Sequence, residues 1–358
     1  MKIVTTEHWL EPLALLRPYR IANQTISDIE NHFVRLRTDS GLCGYGAASP
    51  GNEITGETLA DCAAGLDEHL DACLQGSNLD CFPALIRQLK GVLKTRPAAL
   101  AAAEMAVLDL VGKRFAVPVV ELFSRRHRSL PTSITIGIGS VEKSLEEAEE
   151  FIGRGFRILK IKIGDALEED IALVKRLREK VGPEIRIRVD ANQGYTDREL
   201  LAFCRQTQDA GLEMIEQPLP ASALEAMRRL PEEIRSFCAG DENIRGSEDA
   251  LLCTHPPRPF GIYNLKLMKC GGVIPALEMA RIAELAGIDL MWGCNDESCV
   301  SIAAALHAAL AASATRYLDL DGSLDLGKDL FQEGFVLRNG ELKLTGQPGL
   351  GVTPIVSS

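Results

Sequence analysis

Several features that would place this chain in a membrane or outside the cell are missing from its sequence. The 358 residues contain no apolar run of roughly 18 residues or more, the length that a membrane-spanning helix requires. The first residues, MKIVTTEHWLEPL, lack the apolar core of a signal peptide. None of the ten cysteines forms a CxxC pair. We therefore expect reduced thiols and a cytoplasmic protein.

Excess basic charge, clustered histidines and a dinucleotide-binding motif are absent as well. The chain has 39 Lys and Arg against 50 Asp and Glu, a net charge of −11, so neither nucleic acid nor an anionic membrane is an expected partner. The six histidines show no HxH or HxxxH spacing, which argues against zinc. No GxGxxG follows a predicted strand, so a dinucleotide fold has no support.

What is present is the composition of a packed globular protein of about two domains. Hydrophobic residues make up 46% and charged residues 25% of the chain. Residues 30–48 alternate polar and apolar side chains around a turn at residues 39–41, which predicts a β-hairpin. The alanine-rich stretch 97–114 predicts a buried helix. We predict an N-terminal α+β capping domain over residues 1–125.

Beyond about residue 130 the pattern changes to short apolar strands that alternate with amphipathic helices. The residues at predicted strand ends recur at intervals of 25 to 28 residues, in the order Lys162, Asp190, Glu216, Asp241, Lys266, Gly293 and Asp319. Such a constant interval is typical of βα repeats. Eight strands are predicted, at 132–138, 157–164, 185–191, 212–218, 236–242, 261–267, 288–294 and 314–321.

Eight such units favour an α/β fold, a (β/α)₈ TIM-type barrel over residues 126–324. An open doubly wound sheet is the alternative, although it usually has fewer and less regular units. The tail, residues 325–358, contains Asn339-Gly340, the signal of a tight hairpin turn. We expect this tail to pack back on the capping domain.

Three acidic residues, Asp190, Glu216 and Asp241, close three successive predicted strands. The carboxyl ends of barrel strands carry the active site, and neighbouring strands lie about 4.8 Å apart, so the three carboxylates can converge on one ion. Three oxygen ligands without His or Cys favour Mg²⁺ over zinc. Any one of the three could instead be a salt-bridged or helix-capping residue, but the set predicts one Mg²⁺ per site.

Lysines are predicted on opposite walls of the barrel. Lys160 and Lys162 lie two residues apart on the second strand, so both face the interior, and Lys266 is four strands away. Crowding and burial lower the pKa of a lysine, so we expect usable bases here. Lys269 is predicted to be a structural ion-pair partner of the carboxylates, and Lys266 could have the same role.

A metal ion between two lysines suits one class of reaction. A carboxylate substrate bound to the metal would present its α-carbon to both lysines. One lysine would remove the α-proton and the other would return a proton to the opposite face. Because the α-proton is only weakly acidic, the metal would have to stabilise the ene-diolate that forms. The residues therefore predict a racemisation or epimerisation by 1,1-proton transfer.

The motifs KIK (160–162), VDANQ, IEQP, GDE and NLKLMKCGG together resemble the enolase superfamily, and within it the muconate-lactonizing subgroup. The resemblance covers nearly the whole chain. It implies that the three strand-end carboxylates bind Mg²⁺ and that Lys162 and Lys266 are the acid/base pair. It also implies that Lys160 contacts the substrate carboxylate and tunes Lys162. Members of the subgroup are commonly homo-oligomers, so a homo-oligomer is expected.

The eighth predicted strand ends in Asp319-Leu320-Asp321, which places two carboxylates on one face at the mouth of the site. Fixed anions there suit a ligand ammonium group, although two acids that cap the next helix would give the same pattern. The pair resembles the dipeptide epimerases, in which it binds the α-ammonium group of the substrate. The resemblance thus implies a small-molecule dipeptide substrate whose C-terminal residue is epimerised.

Two further features concern the side chains of that dipeptide. The Ala-Glu epimerases use an arginine in an N-terminal loop, but the matching residues 21–24 contain none and an arginine occurs only at Arg20. This argues against Ala-Glu specificity. Asp296, after the seventh strand, suits a cationic substrate side chain, or it is an exposed or helix-capping residue. Thr135, on the first strand, is a further predicted substrate contact.

Three other functions remain open from the sequence. Another reaction of the same subgroup would keep the metal and the lysines without needing Asp319 and Asp321. These reactions are muconate cycloisomerisation, o-succinylbenzoate synthesis and N-acylamino acid racemisation. A Schiff-base aldolase would need one nucleophilic lysine and no metal. A non-catalytic barrel would bind dipeptides without turnover.

Overall fold

The structure, a computed structural model, describes residues 1–21 and 24–355, and it opens with a long antiparallel hairpin. Strands β1 (Ile3–Ile21), β2 (Gln24–Thr38) and β3 (Cys43–Ala48) form one sheet in that order. The predicted hairpin is confirmed as β2 and β3. The sequence did not predict β1, because Pro12 and Pro18 interrupt its pattern. Both are tolerated because β1 is an edge strand.

Four helices follow this sheet, and the last is the predicted buried helix. They are α1 (Asn52–Thr55), α2 (Leu59–Leu74), α3 (Phe82–Val92) and α4 (Pro97–Phe115). Every residue of α4 from Ala98 to Gly112 is buried. A Cβ at Gly44 or Gly46 of β3 would collide with carbonyl oxygens of α4, so these two glycines allow the sheet to lie directly on the helix.

The eight predicted barrel strands are all present, each within its predicted range. A short strand, β4 (Leu130–Pro131), precedes them. The barrel strands are β5 (Ile134–Ile136), β6 (Ile158–Lys162), β7 (Arg186–Asp190), β8 (Met214–Glu216), β9 (Cys238–Gly240), β10 (Ile262–Leu265), β11 (Asp289–Trp292) and β12 (Thr315–Leu318). They form one parallel sheet in chain order. A parallel bridge joins Thr132, two residues before β5, to Leu318 of β12, so the sheet closes as a TIM-type barrel.

Helices on the outside connect these strands. They are α5 (Val141–Gly153), α6 (Leu167–Val181), α7 (Asp197–Gln206), α8 (Leu224–Arg229), α9 (Glu232–Arg235), α10 (Ser247–Leu252), α11 (Leu267–Cys270), α12 (Val273–Ala286) and α13 (Cys299–Ala311). Short 3₁₀ turns lie at Leu79–Cys81, Val119–Phe123, Gln208–Ala210 and Ala221–Ala223. Within the described ranges, no helix has both the length and the apolar character needed to cross a membrane.

The C-terminal tail forms four short strands and contacts helix α4. Its strands are β13 (Phe331–Glu333), β14 (Phe335–Arg338), β15 (Glu341–Leu344) and β16 (Val352–Pro354). Asn339 and Gly340 both have positive φ, 52° and 72°, as a type I′ turn between β14 and β15 requires. The backbone N–H of Leu350 donates to Asp109 of α4 (2.8 Å), which fastens the tail to the capping domain.

The far end of the β1–β2 hairpin reaches the open end of the barrel. The N–H of Ile138, just after β5, donates to the carbonyl of Arg20 (2.8 Å). Arg17 forms a bidentate ion pair with Glu150 of α5. The hairpin therefore forms one wall of the space above the strand ends.

Candidate active site

The parallel register brings the predicted strand-end residues together at one end of the barrel. Lys162 of β6 lies opposite Asp190 of β7, and Asp190 lies opposite Glu216 of β8. Asp241 directly follows β9, and Lys266 directly follows β10. These positions result from the constant repeat length, which ends each strand at the same level.

A cavity of about 1140 Å³ opens above these strand ends. It lies between the barrel and the β1–β2 hairpin. The predicted site residues that line it are Thr135, Lys160, Lys162, Lys266, Asp296, Asp319 and Asp321. The three predicted metal ligands are buried beside the lysines, each with about 1% of its surface exposed. The structure thus gathers all ten predicted residues at or beside one cavity.

The three strand-end carboxylates are each fixed by a neighbouring polar group. Asp190 accepts the backbone N–H of Asn192 (3.0 Å), and Glu216 accepts the side-chain amide of Asn264 (2.6 Å). Asp241 pairs with Lys266 (2.8 Å). Lysine ammonium groups lie between the carboxylates, and among the described residues no three acidic, His or Cys side chains are close enough to form a ready-made metal cluster.

The chemistry of this donor set nevertheless fits a hard divalent cation. All three side chains offer oxygen, and no imidazole or thiolate is among them. The buried Oε2 of Glu216 makes no hydrogen bond to any described residue, although it lies 2.8 Å from the ammonium of Lys160. Three buried carboxylates on neighbouring strand ends suit Mg²⁺.

Charge pairing decides the protonation states at this site. Burial alone would raise the pKa of Asp190, but the ammonium groups of Lys162 and Lys160 outweigh it and hold the pKa at about 2. Burial also tends to lower the pKa of Lys266, yet Asp241 and Glu216 raise it above its usual value. The pKa of buried Lys160 is likewise raised, by Asp319, Glu216 and Asp190. The lowered lysine pKa expected from burial is therefore wrong for Lys160 and Lys266, because each has carboxylate partners within 3 Å.

The two predicted acid/base lysines face the cavity from opposite walls. Lys162 donates to Asp190 (2.7 Å) and to the amide oxygen of Asn192 (2.9 Å). Lys266, four strands away in the sheet order, pairs with Asp241. Lys269 is enclosed by Asp241 and the carbonyl of Asn264, in agreement with its predicted structural role.

Asp319 and Asp321 lie at the end of β12, next to β5, but their surroundings differ. Asp319 is buried and pairs with Lys160 (2.6 Å). Asp321 is half-buried and accepts the backbone N–H of Thr135 (2.7 Å). Both of these carboxylates, which the sequence predicts on one face at the mouth of the site, line the cavity, but they have different partners.

The residues that the sequence analysis connects with the substrate side chain lie at the cavity edge. Asp296 follows β11, and its backbone carbonyl accepts a hydrogen bond from the Ser49 hydroxyl (2.9 Å). This holds the segment against the N-terminal module. In the N-terminal loop, Arg20 pairs with Asp165 (2.9 Å). Ala22 and Asn23 of the same loop lie outside the described residues.

Three site residues were not predicted from the sequence. The side-chain amide of Asn264 donates a hydrogen bond to Glu216. The side-chain oxygen of Gln217, a residue with a φ of 32°, accepts the backbone N–H of Asp241 (2.9 Å) and so joins two strand ends that carry predicted metal ligands. Arg188 is fully buried beneath Asp319. Asn264 and Arg188 each lie two residues before a predicted site residue, so strand alternation could have placed both inside the barrel.

Comparison with known proteins shows two family matches along the chain. Residues 4–124 match the mandelate racemase/muconate lactonizing enzyme N-terminal domain, and residues 143–356 match the enolase C-terminal domain-like family. A Desulforapulum autotrophicum protein named L-Lys-D/L-Arg epimerase is 54% identical, with 99% of this chain and 100% of that protein covered. A Methylococcus capsulatus protein of the same name is 50% identical, with 98% and 99% covered.

A solved structure shows the same similarity in three dimensions. It is a dipeptide epimerase from Methylococcus capsulatus, complexed with Mg and the dipeptide L-Arg-D-Lys. It superimposes with a TM-score of 0.96 at 50% sequence identity, covering 99% of this chain and 100% of that one.

Proposed function

From the premise that this chain belongs to the mandelate racemase/muconate lactonizing enzyme family, we propose that it epimerises dipeptides with cationic side chains. The chain is a Mg²⁺-dependent isomerase of the dipeptide epimerase type. One observation carries the proposal: two lysines face each other across a cavity whose floor holds three strand-end carboxylates. Two relatives are named L-Lys-D/L-Arg epimerase, and these names support a substrate with cationic side chains.

We propose that Lys162 and Lys266 carry out the proton transfer. One lysine removes the α-proton of the C-terminal residue, which leaves an ene-diolate, and the other returns a proton to the opposite face. When bound by Asp190, Glu216 and Asp241, Mg²⁺ supplies the positive charge that offsets the charge developing on the substrate carboxylate. We propose that Lys160, which lies among the same carboxylates, contacts the substrate carboxylate as well.

We propose that Asp296 contributes to the preference for cationic side chains. Its segment follows β11 and lines the cavity. A carboxylate at the cavity edge attracts an ammonium or guanidinium group and disfavours a substrate carboxylate. Asp296→Asn is therefore expected to lower kcat/KM for Lys- and Arg-containing dipeptides about tenfold relative to Ala-containing ones. An unchanged ranking of a dipeptide panel would remove Asp296 from the proposal.

Mass spectrometry of mixed L,L-dipeptide libraries, incubated with the enzyme and Mg²⁺ in D₂O, tests the function. One deuteron should enter dipeptides of lysine and arginine, and a chelator should abolish its uptake. No uptake in any dipeptide, together with labelling of N-acylamino acids incubated in the same way, would indicate N-acylamino acid racemisation instead. Trapping by borohydride without a metal requirement would indicate a Schiff-base enzyme, and dipeptide binding without exchange would indicate a binding protein.

We also propose that the protein is a cytoplasmic homo-oligomer. All ten cysteines are free thiols, which fits a reducing compartment. Light scattering coupled to size-exclusion chromatography tests the oligomer, and a monomer at micromolar concentration would contradict it.

A further inference from the structure

The barrel closes between β12 and β5, at a seam that has little backbone pairing. Within the described residues one isolated bridge, from Thr132 to Leu318, joins its two sides, whereas β6 and β7 pair over five residues. Donors outside the regular strand ladder therefore hold the seam. Two of them meet at the carbonyl of Leu318: the backbone N–H of Ser133 (3.1 Å) and the guanidinium of Arg188 (2.7 Å).

Arg188 reaches this seam from β7, two strands away from β5 in the sheet order, through the interior of the barrel. It is 1% exposed, and its register partner on the neighbouring strand is Lys160. Its Nη1 donates to the carbonyl of Leu318 and to the hydroxyl of Ser133 (3.3 Å), and its Nε donates to Glu213 (2.6 Å). The guanidinium thus links Glu213, just before β8, to both sides of the seam.

Stability alone does not explain a guanidinium at this position. Nη2 of Arg188 is buried and has no hydrogen-bond partner among the described residues. The cost of burying such a group can exceed the gain from its ion pair with Glu213. Glu213 has a second partner, Arg186 (3.2 Å), so it does not depend on Arg188 for its countercharge. What Arg188 supplies is a planar set of donors with fixed geometry.

The seam carries charges that face the substrate cavity. Asp319, directly after Leu318, accepts the hydroxyl of Ser133 (2.7 Å) and pairs with Lys160 (2.6 Å), and both Asp319 and Lys160 line the cavity. Burial would raise the pKa of Asp319, but Lys160, Ser133 and Arg188 outweigh it and lower the pKa. The place of this ion pair therefore depends on where Arg188 holds Ser133 and the end of β12.

We propose that Arg188 is a positioning residue for the reaction: it fixes the seam, and through Ser133 and Asp319 it sets where Lys160 presents its charge to the substrate carboxylate. Arg188 is not among the described residues that line the cavity. The inference rests on the proposed epimerisation. Because negative charge grows on the substrate carboxylate as the ene-diolate forms, a displaced Lys160 should cost more in the transition state than in binding.

The first test compares two arginines of the same strand. Arg188→Met keeps the length of the side chain and removes its donors. It should lower kcat for L-Lys-L-Arg about 10²-fold and change KM by less than about threefold. Arg186→Met is the matched control, because Arg186 lies on the same face of β7 and pairs with the same Glu213 but is exposed. The control should keep both constants within about twofold.

A double-mutant cycle separates positioning from a general loss of packing. Ser133→Ala removes the hydroxyl between Arg188 and Asp319 and should lower kcat about tenfold. The double variant Arg188→Met/Ser133→Ala should have nearly the kcat of Arg188→Met alone, because both changes break the same link. Independent effects would multiply to a loss of about 10³-fold. Denaturant unfolding of each variant establishes that the rates belong to folded enzyme.

Several outcomes would overturn the inference. A folded Arg188→Met enzyme with the kcat of the wild type would leave Arg188 with a role in stability only. An equal loss in Arg186→Met, or multiplied losses in the double variant, would contradict a link through the seam. If Arg188→Met does not fold, Ser133→Ala decides: an unchanged kcat contradicts the inference and a tenfold lower kcat supports it. Absence of α-proton exchange in the wild type would instead overturn the proposed function, before any variant is made.

Discussion

At the scale of single residues, the site is a set of buried charges that depend on one another. For example, the ammonium nitrogen of Lys160 lies within 3.1 Å of a carboxylate oxygen of three residues, Asp190, Glu216 and Asp319. Removing one member of a buried pair leaves an uncompensated charge, which costs about 3–5 kcal/mol. A conservative substitution here therefore changes more than one contact, and the most informative variants leave the total volume and the remaining charges in place.

The two facing lysines give a stereochemical prediction. Lys162→Met and Lys266→Met should each slow inversion by about 10³-fold or more, because a proton can no longer be exchanged on one face. Each variant should keep deuterium exchange for only one epimer of the dipeptide, and the two variants should keep opposite epimers. NMR of both epimers in D₂O measures this. Retention of the same epimer by both variants would contradict a two-base reaction.

At the scale of elements, helix α13 contains a buried histidine, His307, that makes the stability of the fold depend on pH. His307 accepts the backbone N–H of Val120 through Nδ1 (3.0 Å), and the backbone of Leu350 lies against its ring. Burial lowers the pKa of His307 to about 3. The folded protein therefore holds His307 neutral at a pH where the unfolded chain protonates it, so acid favours unfolding between pH 6.5 and pH 3.

This predicts a pH-dependent loss of stability that belongs to one side chain. Between pH 7.5 and pH 5 the wild type should lose about 2 kcal/mol of unfolding free energy through His307. His307→Asn keeps an acceptor near the position of Nδ1 and cannot titrate. Its loss of unfolding free energy over the same pH interval should therefore be smaller than that of the wild type by about 2 kcal/mol. Urea unfolding at the two pH values measures the difference. Parallel losses in both proteins would show that His307 does not stay neutral in the fold.

At the scale of the whole molecule, helix α4 joins the capping module, the barrel and the tail. Glu104 of α4 is fully buried and accepts the backbone N–H groups of Val273 (2.5 Å) and Ile274 (2.8 Å) at the start of α12. Asp109 of the same helix accepts the N–H of Leu350 in the tail. The segment that carries Lys266 therefore leads directly into a helix capped by the other domain.

Two glutamates that link α12 to the N-terminal module provide a matched comparison. Glu104 is buried, whereas Glu278 forms an exposed ion pair with Lys90 (2.7 Å). Glu104→Ala leaves two buried N–H groups without an acceptor and should cost about 2–4 kcal/mol of unfolding free energy. Glu278→Ala should cost less than about 1 kcal/mol. Denaturant unfolding at neutral pH compares them, and equal costs would contradict the capping role of Glu104.

The sequence predicts the barrel and the set of site residues, but it does not predict their pairing. The regular interval predicts that Asp190, Glu216 and Asp241 lie at strand ends. Strands and helices of constant length bring the chain back to the same level of the barrel in each repeat. The partnership of Asp319 with Lys160 and Ser133 depends on closure of the barrel between β12 and β5. Asp319 is 186 residues from Ser133 and 159 residues from Lys160 along the chain, so no local sequence pattern shows that they meet. The edge strand β1 was not predicted because Pro12 and Pro18 interrupt its alternating pattern.

The most direct measurement follows L-Lys-L-Arg in D₂O with the enzyme and Mg²⁺, by NMR for deuterium at the C-terminal α-carbon and by chiral chromatography for the product. Conversion to L-Lys-D-Arg should accompany the uptake of one deuteron, and both should stop when a chelator is added. Deuterium uptake without inversion would contradict a transfer between two opposed lysines, and inversion without deuterium would contradict removal of the α-proton.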